Sequence, residues 1–83
     1  MKIEKYMMSE IFAFKNVLHF IGFKMATDQL IEQFLESGEL RIEVSKKGEK
    51  FAVLEYANEH ILASVKDSIA FRPHKSAYKL MFM

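Results

Sequence analysis

Leu40-Arg41-Ile42-Glu43-Val44-Ser45-Lys46-Lys47-Gly48-Glu49-Lys50-Phe51-Ala52-Val53-Leu54-Glu55-Tyr56 is the stretch on which the fold turns. Leu40, Ile42 and Val44 alternate with Arg41, Glu43 and Ser45, the period of two that belongs to a half-buried strand. Lys46-Lys47-Gly48-Glu49 then supplies a glycine for a left-handed turn position, and Phe51 to Tyr56 reads as the return strand of a hairpin. With Val44 opposite Phe51, one face would carry Leu40, Ile42, Val44, Phe51 and Val53, while Ala52, Leu54 and Tyr56 point the other way. A strand that is apolar on both sides is covered on both sides, so the return strand is expected in the centre of its sheet.

Upstream of the hairpin the period changes to 3.6. From an N-cap at Ser9 to Gly22, residues Ile11, Ala13, Phe14, Val17, Leu18, Phe20 and Ile21 share one half of a helical wheel, and Lys15, Asn16 and His19 hold the other. Phe12 falls among these polar residues, as an isolated exposed aromatic or as part of a contact surface. A second helix is expected from Thr27, an N-cap, to Gly38, with Asp28 in its first turn where the helix dipole favours negative charge. Leu30, Ile31, Phe34 and Leu35 form its apolar stripe. Asp28, Glu32 and Glu36 recur every four residues on the opposite side as an acidic face.

Downstream, Asn58 can cap a third helix in which Ile61, Leu62, Val65 and Ile69 share a face and which Pro73 ends, although Ile61 to Val65 also fits a strand. Tyr78, Leu80 and Phe82 fall on one side if Ser76 to Met83 is extended, which predicts a last strand. The expected order is therefore α-α-β-β-α-β, an α+β fold with a three-stranded sheet packed by helices. The last strand would pair within its own subunit or close the sheet of a partner.

The chain has 83 residues, enough for a single globular domain over 1–83 and too few to divide between two cores. Twelve Lys and Arg oppose eleven Asp and Glu, and 51% of the residues are hydrophobic, with eight Phe, three Tyr and six Met. That much apolar surface on so small a domain, with no cysteine to staple it, points to a homodimer. The lack of cysteine also excludes a disulfide scaffold, a thiol nucleophile and a Cys-ligated zinc site. The longest uncharged run is Asn16 to Phe23, far short of the roughly 20 residues that cross a bilayer. Glu4, Glu10 and Lys15 interrupt any signal-peptide core, so a cytoplasmic location and no membrane partner are expected.

No enzymatic motif emerges. Glycines stand only at 22, 38 and 48, which leaves no phosphate-binding glycine loop and no nucleotide cofactor to expect. His19, His60 and His74 lie in separate segments with no ligand-forming partner one helical turn away, so no metal is assigned. Two helices before a hairpin are also the order of a winged helix, but Asp28, Glu32 and Glu36 would present the wrong sign to phosphates on its recognition helix.

Elimination leaves a non-enzymatic regulatory or inhibitory domain that binds another protein. The expected contact residues are Phe12, Lys15 and His19 on the first helix, the acidic Asp28, Glu32 and Glu36, and the hairpin tip. The alternative partner is RNA or single-stranded nucleic acid, bound through Lys46, Lys47, Arg72, Lys75, Tyr78 and Lys79. Between residues 60 and 83 four basic residues face Asp67 alone, with aromatics interleaved among them. Ten of the twelve basic residues are Lys, a bias that AT-rich coding favours and that fits a viral accessory protein directed at a host factor.

Overall fold

A computed structural model describes residues 3–83 of the chain. After a 3-10 turn at Ile3–Lys5 come helices α1 (Met8–Phe20) and α2 (Asp28–Ser37), strands β1 (Leu40–Val44), β2 (Lys50–Tyr56), β3 (Glu59–Ser64) and β4 (Ala70–Phe71), and helix α3 (Lys75–Phe82). The strands form one antiparallel sheet in the order β1-β2-β3-β4, with each strand beside its neighbour in sequence. The class is α+β, as the sequence implies. The sheet has four strands rather than three, and the element order is α-α-β-β-β-β-α.

Local chemistry sets the helix ends. The α2 N-cap is Thr27, whose side chain accepts a hydrogen bond from the Leu30 N–H at 3.2 Å, and the helix stops at Gly38 in the left-handed region (φ 82°). Helix α1 begins one residue before Ser9: Met7 is its N-cap, and the Met7 N–H donates to Glu10 Oε1 at 2.8 Å. Glu10 is buried, and its second oxygen accepts from Lys50 Nζ at 3.3 Å, so the carboxylate joins the start of α1 to the start of β2.

The hairpin is present, but its register differs by one residue from the expected pairing of Val44 with Phe51. Val44 pairs with Lys50 and Glu43 with Phe51. The turn explains the shift. The Gly48 N–H donates to the Ser45 carbonyl at 2.9 Å and the Ser45 N–H to the Glu49 carbonyl at 2.8 Å, closing a loop around Lys46, Lys47 and Gly48 (φ 86°). An odd-numbered loop of this kind forces the pairing one residue away from an even one, and with period-2 strands that exchanges the faces of the return strand. Leu40 and Ile42 therefore share a face with Ala52 and Leu54, and Phe51 and Val53 lie on the other.

The expected third helix is instead β3 and β4. Ala57 and Asn58 both have positive φ (53° and 63°) and form a two-residue turn between Tyr56 and Glu59, so Asn58 is a hairpin residue and not a helix cap. The spacing of Ile61, Leu62 and Val65 imitates a helical face because Ile61, Leu62, Ala63 and Ser64 are all buried. A strand covered on both faces loses its alternation.

The expected last strand is α3, which also removes the option of a C-terminal strand closing a partner's sheet. The His74 side chain accepts from the Ser76 N–H at 3.3 Å and caps this helix directly after Pro73. Tyr78 and Phe82 then meet the sheet one turn apart, while Leu80 points to solvent.

The sheet is thus covered on both sides. On the first face, Leu40, Ala52, Leu54, Ile61 and Ala63 pack with Phe14, Val17 and Leu18 of α1 and Ile31 and Leu35 of α2. On the second, Phe51, Val53 and Leu62 pack beneath Tyr78, Met81 and Phe82 of α3.

Candidate functional site

The residues singled out in the sequence fall on opposite sides of the molecule. On α1, the positions diametrically opposite the core carry Met8, Phe12, Lys15 and His19, one turn after another. Met8 is 87% and Phe12 61% exposed, so no element of the fold covers this part of the stripe. The flanks of the helix are anchored. Asn16 Nδ2 donates to the Ser68 carbonyl in the β3–β4 connection, and the Arg72 guanidinium lies 5.3 Å from the centre of the Phe20 ring. The His19 Nδ1–H donates to the Phe23 carbonyl at 2.8 Å, which ties that ring to the chain leaving the helix.

The acidic residues of α2 do not form a uniform row. Asp28 and Glu36 are exposed, whereas Glu32 is half-buried and accepts from the Ile3 N–H at 3.1 Å, holding the 3-10 turn against α2. The hairpin tip, the remaining expected protein contact, lies at the far end of the second face. There Lys46, Lys47 and Glu49 border a hollow with Leu80 and Met81, and the Lys46 N–H donates to the Met81 carbonyl at 2.8 Å.

Arg72, Lys75, Tyr78 and Lys79 of the nucleic-acid reading do come together, around a stacked pair on the second face. The His60 ring lies on Tyr78 with centroids 3.8 Å apart and planes 16° from parallel. Two adjoining hollows of about 500 and 470 Å³ flank the stack, both bordered by Asn58, His60, Lys75 and Tyr78. The first continues to Glu59, Arg72, Pro73 and His74, and the second to Arg41, Glu55 and Lys79. Lys46 and Lys47 are not among these lining residues. Sequence reading missed His60, Arg41 and Glu55 here. The signal lay in the pairing of β2 with β3, which sets His60 opposite Glu55 and becomes visible only once Asn58 is read as a turn.

The electrostatics of the groove are mixed. Arg72 is ion-paired with Glu59, and Arg41 with Glu43 and, at 3.2 Å, with Glu55. Burial pulls the Arg41 guanidinium down, but the hydrogen bond and charge of Glu43 outweigh it and its pKa stands above the ordinary value. Burial pushes the Tyr78 phenol up, the charge of Glu43 adds to this, and the Arg41 hydrogen bond opposes it. Lys75 and Lys79 have no ion pair among the described residues.

Comparison with known protein families, with characterised proteins and with solved structures finds no match to this chain. The site therefore has to be read from its own geometry. No three His, Asp or Glu among the described residues converge as a metal would require, and no helix there is long and apolar enough to cross a membrane. Tyr78 lies buried beneath His60 and offers no open face to a nucleobase, Phe82 is half-buried, and two of the four clustered cations are already ion-paired.

Proposed function

We propose that the chain is a non-enzymatic, cytoplasmic, homodimeric regulatory domain that acts by binding another protein, with the outward stripe of α1 as its principal contact surface. The observation that carries this reading is the exposure of Met8 and Phe12 side by side on a helix whose opposite face is fully committed to the core. Large apolar side chains grouped on a rigid element supply the central, desolvated contacts of protein interfaces, and methionine adapts its shape to the partner. Lys15 and His19 continue the stripe and supply a polar rim. The lysine-biased composition fits an accessory protein of viral type directed at a host factor.

The experiment is capture from lysate by tagged wild-type protein, Phe12→Asp and the double variant Lys75→Glu/Lys79→Glu, each with and without nuclease. The expected result is a stoichiometric protein that survives nuclease, stays with the lysine variant and is lost with Phe12→Asp. Retention of RNA or DNA by the wild type, lost with the lysine variant, would overturn the reading in favour of the groove beside α3.

A further inference from the structure

The two edges of the sheet are built differently. The β4 edge is only Ala70–Phe71, with Pro73 two residues beyond, and both features discourage strand addition. The β1 edge runs from Leu40 to Val44 with no proline and no bulge.

Its backbone direction follows from the hydrogen bonds at its two ends. The Ser45 N–H donates to the Glu49 carbonyl and the Glu55 N–H to the Glu39 carbonyl, at 2.8 and 2.7 Å. Odd-numbered residues of this strand therefore bond to β2, and the N–H and C=O groups of Leu40, Ile42 and Val44 point outward. Among the described residues no hydrogen bond reaches them. The side chains along this edge read apolar, basic, apolar, acidic, apolar, a pattern that complements itself when reversed about Ile42.

We infer that β1 is the homodimer interface, pairing antiparallel with β1 of a second copy about a two-fold axis at Ile42. This deepens, and rests on, the homodimer named in the proposed function. The axis places Ile42 opposite Ile42 of the second copy, where the outward backbone groups exchange two hydrogen bonds; the outward groups of Leu40, a residue only 1% exposed, are covered within the subunit and take no part. Arg41 then stands opposite the partner's Glu43 in the non-hydrogen-bonded sites, where cross-strand side chains are closest. The alternating charges favour this register, since a shift of two residues removes both Arg41–Glu43 pairs and sets Arg41 opposite Arg41 or Glu43 opposite Glu43, and a parallel arrangement sets like beside like. Val44, 57% exposed in the single subunit, stands at the open end of this edge.

The test is molar mass by light scattering on the full chain and four variants. Wild type is expected at twice 9.7 kDa. Arg41→Glu alone and Glu43→Arg alone place like charges across the axis and are expected as monomers, while an equimolar mixture of the two is expected to return to dimer mass, because each copy then carries what the other lacks. The recovered dimer should weaken in high salt. Val44→Pro removes an outward N–H from an exposed position without touching the β2 ladder, and is expected to be a folded monomer by circular dichroism.

A wild-type monomer would overturn both this interface and the homodimer. A dimer that persists in all single variants would overturn the interface and leave the homodimer standing on another surface. Single variants that are monomeric but do not recover on mixing would overturn the Arg41–Glu43 register. Because Phe12 is remote from β1, Phe12→Asp is expected to remain a dimer, so loss of partner capture in that variant reads on the α1 stripe alone.

Discussion

The two faces of the sheet have the same strands beneath them and different covers. Two helices of thirteen and ten residues close the first face, and the side chains of Phe14, Val17, Leu18, Ile31 and Leu54 there are wholly inaccessible. One helix of eight residues closes the second, contributing Tyr78 as its only buried residue. A thick cover can spare its outer surface for apolar groups, because the inner surface alone holds the helix in place. A thin cover leaves a groove at its margin, and that margin is filled with ion pairs. The first face is therefore a platform for the exposed Met8 and Phe12, and the second a polar seam.

Truncation should measure that difference directly. The largest effect is expected from Phe14→Ala, which empties a site also contacted edge-on by Tyr6 at 5.2 Å and should cost about 3–5 kcal/mol of unfolding free energy in urea titrations. A loss below that of a surface substitution would break the account of the first face as the stabilising one.

Phe82→Ala on the second face should cost less, about 1–2 kcal/mol, since this ring is only half-buried against Phe51. Hydrogen exchange sharpens the same point, because the amides of α3 should exchange before those of α1 if the short helix opens without global unfolding. Simultaneous exchange of both helices would show that the two faces unfold as one.

The smallest expected effect is alkaline. The Tyr78 phenol is held above its ordinary value of 10.0 in the folded chain, so above about pH 10 the unfolded chain releases this proton first and stability falls as pH rises further. Tyr78→Phe should flatten that fall. An unchanged alkaline slope in urea titrations would show that the phenol does not feel its surroundings in this way.

The sequence is easiest to read where one signal has no competitor. Thr27 and Gly38 bracket α2 by well-known capping chemistry, and the Leu40, Ile42, Val44 alternation has a single explanation because the charged Arg41 and Glu43 hold the other face of β1. Burial on two sides defeats the same method in β3, where Ile61 to Ser64 carry no period at all. In the tail, Tyr78 and Phe82 fit both a strand and a helix, and the deciding feature is a cap made by His74, a residue outside the usual N-cap set.

The candidate sites follow the same division. Phe12 stands out because it breaks the polar half of an otherwise regular wheel, and the structure leaves it exposed. Arg72, Lys75, Tyr78 and Lys79 converge although their secondary structure was misread, because they are near neighbours in sequence. Arg41 and His60 reach the same groove only through strand pairing, which spacing along the chain does not reveal.

The most direct test of the central claim is photo-crosslinking in the native lysate, with a photoreactive amino acid placed at position 12 in one preparation and at position 75 in another. The account predicts a discrete protein adduct from position 12 and none from position 75. A nucleic-acid adduct from position 75, with nothing captured from position 12, would contradict it.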